Sequence, residues 1–379
     1  TSISFGSVVV FESAGVNYVS CTFDSNSNKV VISYTDDGNS SYGTAIVGTV
    51  SGTNISFGTA VVFRSAAAGS TNATFDSNSN KVVICYAGDS DHGTAIVGTV
   101  SGTGISFGTA VVYESANSVL SVATFDSNSN KVVIAYSDYP NGQYGTAIVG
   151  TVSGTNISFG TAVVFENASI GTIGHTITFD SNSNKVVIAY QDVGNSSYGT
   201  AIVGTVSGTG ISFGTAVVFE NATSTYPAAT FDSNSNKVVI AYRDGGNSNK
   251  GTVIAGAVSG TSISFESPTV FESGASLWIT TVFDSNSNTS VISYRDDGNS
   301  SYGTSIVFKN AFDNTVRGST ASGSTAIIQA GGAVNTLQTG LTPGQQYFVQ
   351  TDGTLGLTAG SPSVIAGTAV SATDLIVKG

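Results

Sequence analysis

The sequence predicts an all-β fold, a six-bladed β-propeller with four antiparallel strands per blade. The first observation is a repeat: the string Ile-Ser-Phe occurs six times, spaced by 52, 50, 52, 54 and 52 residues. The second is composition, because each copy consists of short runs rich in Val, Ile, Thr, Phe and Tyr bounded by Gly, Ser, Asn or Asp, which is typical of strands and turns. Such a repeat length favours a propeller blade over a sandwich, which needs about 100 residues.

Each copy divides into four expected strands. In the first copy these are 22–24 with the preceding residues, then 29–34, 44–50 and 55–63. The two most continuously apolar strands, of the types KVVIAY and TAIVGTV, are expected in the middle of the blade, buried on both faces. The ATFD strand is then innermost and the ISFGTAVVF strand outermost. The repeat could also be divided into blades in the opposite phase, with the ISFG strand innermost and six self-contained blades. This alternative stays open at this stage.

The first phase predicts how the ring ends. The chain begins with a lone outer strand at 3–11, and the sixth copy stops at 304–308 without one. The N-terminal strand is therefore expected to complete the sixth blade and close the propeller, which spans 1–309, because closure removes exposed strand edges. Residues 310–379 lose the repeat and predict a small C-terminal β module for attachment or oligomerisation.

Composition excludes several classes of protein. Charged residues make up 9% of the chain, against roughly 25% in an ordinary domain. The net charge of -12 argues against nucleic acid as a partner, and no apolar run is long enough to span a membrane. No signal peptide is visible and methionine is absent, so we expect a processed or trimmed chain. Cys21 and Cys85 align with small residues in the other copies and are expected to be core fillers.

One shared turn resembles a metal site. Asp24, Asn26 and Asn28 follow the order of the first three ligands of a calcium loop, and all six copies contain this Asp-Ser-Asn-Ser-Asn string. The glycine expected at the sixth position and the acidic residue at the twelfth are missing. A hairpin turn in which Asp bonds its own backbone is favoured, with calcium as the alternative. We expect no metal site elsewhere and no cofactor.

The repeats resemble those of structural or tail proteins of marine bacteriophages. The resemblance covers the FDSNSNKVVIAY, GTAIVGTVSGT and ISFGTAVVF strings and also the C-terminal stretch GLTPGQQYFVQTDGTLGLTAG. It implies a component of the virion surface, a tail-fibre or receptor-binding element whose C-terminal module contacts other virion proteins or further copies of itself.

A second, looser resemblance concerns the Asp-x-Gly-Asn-Ser loop of four copies, which is similar to the Asp-box turn of sialidases; the second and third copies depart from it at 88–92 and 138–143. That family needs three clustered arginines, but Arg64, Arg243 and Arg295 belong to three different copies. Glu12 and its equivalents recur in nearly every copy, which is typical of a structural role. We therefore predict that the chain is not an enzyme, and keep a sialidase-like glycan hydrolase as an alternative.

Comparison of the copies separates constant from variable segments. The stretch after each outer strand varies most, and it shares one face of the predicted ring with the Asp-x-Gly-Asn-Ser loops; Tyr18, Leu120, His175, Tyr226 and Trp278 have no apparent counterparts there. Loops on a rigid scaffold are common recognition sites, and aromatic rings beside polar side chains suit carbohydrate. The candidate ligand-binding residues are Tyr18, Arg64, His92, Tyr139, His175, Tyr226, Arg243, Trp278 and Arg295.

This pattern predicts recognition of a host surface glycan through the diversified face. Two alternatives remain. Residues such as Trp278, Leu120 and Val119 could instead fill gaps between blades, and the protein could be a purely structural decoration or fibre subunit.

Overall fold

The computed structural model describes residues 3–171, 174–310, 334–335, 340–350, 355–358, 365–369, 371–373 and 375–377. Contacts divide the chain into two units, Thr1–Lys309 and Asn310–Gly379. Among these described residues all regular structure is β-strand apart from five short 3-10 turns. No helix in this part of the chain is long and apolar enough to cross a membrane.

The first unit contains six blades. Blade 1 holds β1 (Val16–Asp24), β2 (Lys29–Asp36), β3 (Tyr42–Ser51), β4 (Asn54–Phe57) and β5 (Val61–Ala67). Blade 2 holds β6 (Gly69–Asp76), β7 (Lys81–Ala87), β8 (His92–Ser101), β9 (Gly104–Phe107) and the first part of β10 (Val111–Asp126). Blade 3 holds the rest of β10 with β11 (Lys131–Asp138), β12 (Tyr144–Ser153), β13 (Asn156–Phe159) and β14 (Val163–Ser169).

The second half repeats this plan. Blade 4 holds β15 (His175–Asp180), β16 (Lys185–Asp192), β17 (Tyr198–Ser207), β18 (Gly210–Phe213) and the first part of β19 (Val217–Asp232). Blade 5 holds the rest of β19 with β20 (Lys237–Asp244), β21 (Lys250–Ser259), β22 (Ser262–Phe265) and the first part of β23 (Thr269–Asp284). Blade 6 holds the rest of β23 with β24 (Thr289–Asp296) and β25 (Tyr302–Phe308). The 3-10 turns are Asp37–Asn39, Asp89–Asp91, Val193–Asn195, Gly245–Asn247 and Asp297–Asn299.

The strand order confirms the predicted all-β class of six antiparallel blades. In blades 1 to 5 the ATFD strand pairs with the KVVIAY strand, which pairs with the TAIVGTV strand, whose far edge carries the ISF and VVF segments; blade 6 has the first three of these strands. The ATFD strands of successive blades lie side by side: the N–H of Ala73 donates to Ser20 Oγ (3.1 Å) and the N–H of Ala123 to Asn72 Oδ1 (2.9 Å). These strands are therefore innermost, and the opposite phase is excluded.

Some strands belong to two blades at once. Strands β10, β19 and β23 are each 16 residues long, and each is the outer strand of one blade and then the inner strand of the next. Blades 2 and 3 thus share a nine-stranded sheet, and blades 4, 5 and 6 share an eleven-stranded one. This continuity of one strand from blade to blade is interrupted twice, between β5 and β6 at Ala68 and between β14 and β15.

The core lies between the blades. Val133, Ala135 and Val149 of blade 3 belong to one buried cluster with Ile188 and Tyr190 of blade 4. The middle strands contribute to the clusters on both sides, which explains their continuous apolar sequence. In blades 3 to 6 the tyrosine that ends the KVVIAY-type segment also reaches the preceding blade. Its hydroxyl donates to a glutamate there, and burial raises its pKa well above the ordinary value; examples are Tyr136 with Glu114 (3.1 Å), Tyr190 with Glu166 (3.0 Å) and Tyr242 with Glu220 (2.9 Å).

The Asp-Ser-Asn-Ser-Asn strings form turns stabilised by their own backbone. Asp126 is 2% exposed, and its Oδ1 accepts the N–H groups of Asn128 (2.9 Å) and Ser129 (3.0 Å). Asn130 closes the turn with a φ of 55°, a conformation that asparagine tolerates. Asp carboxylates held by backbone donors favour the turn interpretation over the calcium alternative, and no metal-type cluster of His, Cys, Asp or Glu occurs among the residues that the structure covers.

The predicted closing strand is not formed. Segment 3–15 has no strand structure, and Val8 and Val10 are 95% and 72% exposed. A Cβ atom at Gly48 would lie 2.9 Å from Ile55 Cδ1 of the outer strand. Phe308 stands at the equivalent position of blade 6 and packs into the core between blades 5 and 6. It fills the space that the first half of an outer strand takes in the other blades.

The two cysteines differ. Cys85 is fully buried, as expected of a core filler. Cys21 is exposed, contrary to that expectation, because the face of blade 1 that carries it has no neighbouring blade. Phe23, on the same strand face, is 52% exposed for the same reason.

The second unit contains a small antiparallel sheet. Its order is β26 (Val334–Asn335), β30 (Leu375–Val377), β29 (Ile365–Ala369), β27 (Gln346–Val349) and β28 (Leu355–Gly356). A core of Leu341, Tyr347, Ala369 and Leu375 lies on it.

Candidate functional site

The variable stretches and the Asp-x-Gly-Asn-Ser loops form one surface, which we call the diversified face. The N–H of Asp37 in such a loop donates to Gly15 O (3.0 Å) in the stretch before β1. The N–H of Tyr139 donates in the same way to Asn117 O (3.1 Å) in blade 3. The two sets of loops therefore support each other across each blade.

A groove of about 540 Å³ opens on this face between blades 1 and 2. We call it the blade 1–2 groove. The polar residues that line it are Asn17, Thr35, Asp37, Ser41, Arg64, Asp89, Ser90 and Asp91. Its apolar surface comes from Tyr18 and from the small residues Ala66, Ala67, Ala68 and Ala87.

Arg64 is the residue that distinguishes this groove from the other blade junctions. Its side chain is 14% exposed, its Nη2 lies 2.8 Å from Asp89 Oδ1, and its Nε donates to Ala67 O (2.8 Å). Its Cζ lies 5.7 Å from the centre of the Tyr86 ring. The five equivalent positions hold Glu12, Glu114, Glu166, Glu220 and Glu272, each of which accepts a hydrogen bond from the next blade's tyrosine. Only blade 1 replaces this bond with a cation that faces the groove.

Carboxylate and amide groups surround the arginine. Asp37 accepts hydrogen bonds from Asn17 Nδ2 (2.7 Å) and Ser41 Oγ (3.2 Å), and Asp89 is 90% exposed on its side chain. Tyr18 lies at the rim with 54% of its surface exposed. The arrangement combines fixed acceptors, fixed donors and a flat apolar ring, which are the groups that bind the hydroxyls and C–H faces of sugars.

Tyr18 also belongs to a set that the sequence comparison missed. The residue six positions before the turn aspartate lies in a β-bulge next to the neighbouring blade, and it has a positive φ in every blade; these residues are Tyr18 (47°), Ser70 (49°), Leu120 (55°), Gly174 (118°), Tyr226 (52°) and Trp278 (52°). They are therefore counterparts of one another, contrary to the expectation that the aromatic ones have none. A left-handed conformation costs about 1–2 kcal/mol for a residue other than glycine, and such strain is concentrated at functional sites.

Two of these residues form an aromatic pair. The ring centres of Tyr226 and Trp278 are 5.0 Å apart with an interplanar angle of 56°. Trp278 therefore contacts the preceding blade through Tyr226, while 65% of its surface stays exposed. Leu120 and Val119 are half-buried, which agrees with the filler alternative at those two positions.

The remaining candidates are dispersed over the diversified face. His92 begins β8 beside Asp91, and Tyr139 is 51% exposed in the blade 3 loop. Arg295 pairs with Asp297 (2.9 Å) in blade 6, and Arg243 is half-buried in blade 5. Of the predicted ligand-binding residues, only Tyr18 and Arg64 line the blade 1–2 groove.

His175 is not available to a ligand, which corrects its prediction. It is 4% exposed, and its Nε2 lies 3.2 Å from Ala135 O of the neighbouring blade. Thr71 and Ile279 hold the equivalent place in other blades, and both are buried. Burial lowers the pKa of His175 to about 4, so the ring is neutral near pH 7.

Sequence reasoning did not select Asn17, Asp37, Asp89 or Asp91, which line the groove. Asp37 belongs to a loop that recurs in four copies, so comparison of the copies does not single it out. The signal that could have found the groove is the single exchange of Glu for Arg64 among six copies.

Comparison with known proteins bears on the fold. No protein-family model and no curated protein matches the chain. Among solved structures, the SapL1 lectin in complex with alpha methyl fucoside has a TM-score of 0.50 at 12% identity, covering 79% of this chain and 94% of the lectin. AofleA from Arthrobotrys oligospora has a TM-score of 0.50 at 8% identity, covering 77% and 82%. The periplasmic gluconolactonase PpgL of Pseudomonas aeruginosa has a TM-score of 0.51 at 10% identity, covering 78% and 86%. At such identities the likeness shows a shared β-propeller fold.

The same comparison overturns one prediction. The sequence predicts a protein that is not an enzyme, but the similar structures include a gluconolactonase as well as a lectin. Proteins with this fold include an enzyme as well as a lectin, so the prediction that the chain is not an enzyme is withdrawn.

Proposed function

We propose that the protein binds carbohydrate in the blade 1–2 groove. The observation that carries this proposal is Arg64, because it is the one inter-blade glutamate position that has changed to a cation, and the groove of about 540 Å³ opens beside it. A structural role alone would favour the glutamate–tyrosine bond found at the other five positions.

The groove offers three kinds of contact to a sugar. The Arg64–Asp89 pair presents a donor beside an acceptor, which suits neighbouring hydroxyls. The Asn17–Asp37 pair offers a second such combination on the blade 1 side. Tyr18 supplies exposed ring surface for the C–H face of the sugar. One of the similar propellers, the SapL1 lectin, was solved with a fucoside, which supports this ligand class.

A sugar on the surface of a host cell is the ligand that fits the resemblance to bacteriophage tail proteins. In that setting the protein is a receptor-binding element of the virion, and the C-terminal unit contacts other virion proteins. This part of the proposal is supported by the sequence resemblance and by the diversified face. It is tested by binding of the labelled protein to intact host cells, with and without competing free glycan.

The central experiment uses Arg64→Glu on a glycan array, followed by calorimetry on the best ligand. This change restores the residue found in the other copies, so the fold is retained while the cation is lost. We expect a loss of affinity of about 10- to 100-fold, the effect of removing a charged hydrogen bond. Lys131→Glu, on the opposite face, makes the same charge change and is expected to leave binding intact.

Tyr18→Ala provides an independent test of the groove, because the side chain is exposed and its removal leaves no core cavity. Equal binding by wild type, Arg64→Glu and Tyr18→Ala would contradict the site. If, in addition, the diversified face is covered by other subunits in an assembled particle, the purely structural alternative is favoured.

A further inference from the structure

The N-terminal segment lies against blade 1 as though it were the outer strand of a preceding blade. The ring of Phe11 is centred 5.3 Å from that of Tyr34 and 5.8 Å from that of Phe57. Phe63, in the true outer strand of blade 1, has the same two contacts in blade 2, at 5.2 Å and 5.7 Å. The segment therefore reproduces an inter-blade contact without belonging to a complete blade.

Two more contacts of the N-terminal segment match those that an outer strand makes with the next blade. Glu12 accepts a hydrogen bond from the Tyr34 hydroxyl (3.5 Å), as Glu166 does from Tyr190 (3.0 Å). Gly6 is packed against the backbone of Thr53, just as each later inter-blade glycine is packed against the equivalent threonine, and a Cβ atom there would collide with its carbonyl group. Half of a blade junction is thus already built at the N-terminus.

The other half is present at the far end of the same unit. Strand β25 has no partner on its outer edge among the residues that the structure describes. In the five other blades this edge pairs with a Val-Val segment or, in blade 5, with Thr269-Val270, in the register Val62 opposite Thr44 and Val112 opposite Thr94. By the same register, Val10 corresponds to Thr304 and Val9 to Ser305. Val9 and Val10 are 42% and 72% exposed.

The surfaces beside the two edges are also open and uncharged. Phe23 and Cys21 of blade 1 and Val282 of blade 6 are exposed, whereas the faces between interior blades are buried. The chain carries a net charge of -12, yet none of these side chains bears charge. Association through these faces therefore brings no like charges together.

We propose that copies of this chain associate head to tail through these two ends. The segment around Val8–Val10 of one copy, docked on its own blade 1, adds as the outer strand to β25 of a second copy. Blade 6 of the second copy then stacks on blade 1 of the first. A second copy is the occupant because both halves of the junction are formed and open within one chain, and β-strand addition to a free edge is a common mode of protein association.

The geometry limits the extent of the shared strand. Phe308 occupies the space that the first half of an outer strand fills in other blades, so the contact involves Val8–Val10 and not Ile3–Phe5. The two faces that meet are different surfaces, so the contact is heterologous and propagates into a row or a larger ring of copies.

Variants with one introduced cysteine test this contact in the full chain, in which Cys85 stays buried. In a Cys21→Ala background, one preparation carries Val10→Cys and another carries Thr304→Cys, and the two are mixed under mild oxidation. Directly opposed residues of an antiparallel pair lie within the range that a disulfide spans. A control chain with both Thr94→Cys and Val112→Cys carries the same pair inside blade 2, where it should close within one chain.

We expect a disulfide-linked dimer in the mixture and at most traces of dimer in either preparation alone. A third chain that carries both Val10→Cys and Thr304→Cys should give a ladder of covalent oligomers. A monomeric closed form of that double variant, with no dimer in the mixture, would show that the ends pair within one chain and would overturn the proposal. Failure of all cross-links while the control closes would also overturn it. As a second readout, deletion of residues 1–12 should abolish concentration-dependent sedimentation of the wild-type chain.

Discussion

The guanidinium carbon of Arg64 lies 5.7 Å from the centre of the Tyr86 ring, where the other blade junctions join a tyrosine hydroxyl to a glutamate. A cation above an aromatic face contributes roughly 0.5–1 kcal/mol at an exposed site, which is comparable to the hydrogen bond that it replaces. The junction therefore keeps its stability while its chemistry toward solvent changes from anionic to cationic.

The first prediction concerns stability at this junction. Arg64→Glu should change the free energy of unfolding by less than about 1 kcal/mol, because a glutamate–tyrosine bond replaces the cation contact. Tyr190→Phe should lower it by about 1–2 kcal/mol, because the partly buried carboxylate of Glu166 loses its donor. Urea unfolding followed by circular dichroism measures both. A larger loss for Arg64→Glu than for Tyr190→Phe would contradict this account.

The second prediction concerns pH and His175. Burial lowers the pKa of His175 from 6.5 to about 4, so between these values the unfolded chain binds a proton that the native state does not. The stability that depends on the neutral ring is fully present above pH 6.5 and is lost as the pH falls toward 4, by up to about 3 kcal/mol.

His175→Thr, which copies Thr71 of blade 2, isolates this effect. The variant should lose less stability than wild type between pH 7 and pH 4.5, as measured by urea unfolding at each pH. Parallel pH profiles for the two proteins would show that His175 is not buried in the neutral form.

The third prediction concerns the Asp-Ser-Asn-Ser-Asn turns. Asp126→Ala should lower the free energy of unfolding by about 1–2 kcal/mol, because two backbone N–H groups lose their acceptor. Asp284→Ala should cost less, because its turn is exposed to water. Since backbone donors hold these carboxylates, neither calcium nor a chelator should shift the Tm. A calcium-dependent Tm that Asp126→Ala removes would restore the calcium alternative.

The fourth prediction concerns strain at Trp278, which has a φ of 52°. Trp278→Gly should stay within about 1 kcal/mol of wild type, because relief of the left-handed conformation offsets the greater freedom of the unfolded chain. Trp278→Val should be less stable than the glycine variant by at least about 1 kcal/mol, because a β-branched residue tolerates this conformation poorly. Equal stabilities would indicate that the bulge relaxes when the side chain changes.

The fifth prediction concerns the two thiols. Cys21 is exposed, whereas Cys85 is buried and burial raises its pKa to about 12. A thiol reagent at neutral pH should therefore modify one cysteine in the native protein and the second only after unfolding. Head-to-tail association covers Cys21, so its rate of modification should fall as protein concentration rises. A rate that is independent of concentration would argue against that contact.

The fold could be predicted from the sequence because the same pattern of short apolar strands and polar turns occurs in six copies. Segment 82–86, for example, is apolar at every position, and the structure buries all of it in the middle strand β7 of blade 2. Copy number also separated the diversified face from the constant one. The order of strands within a blade followed from the same pattern, since only the middle strands are buried on both faces.

Other features could not be read from the repeat. The first half of the closing strand depends on Phe308, which stands where the other copies have glycine such as Gly48, and that is a question of packing at a single position. His175 and Trp278 both looked unique, yet one side chain is buried and the other exposed, because adjacent residues of a strand point to opposite faces of the sheet. The groove brings together Asn17 and Asp89 from different blades, and no spacing in the sequence indicates that contact.

The long strands that belong to two blades have a mechanical consequence. Strand β10 cannot peel away from blade 2 without pulling on blade 3, so blades 2 and 3 respond to force as one body, as do blades 4, 5 and 6 through β19 and β23. The break at Ala68 ends this strand continuity between blades 1 and 2, which are held together there by side-chain packing. Ala68 also lines the groove, so a sugar bound in the proposed site would bridge two blades that share no strand and would resist their separation under tension.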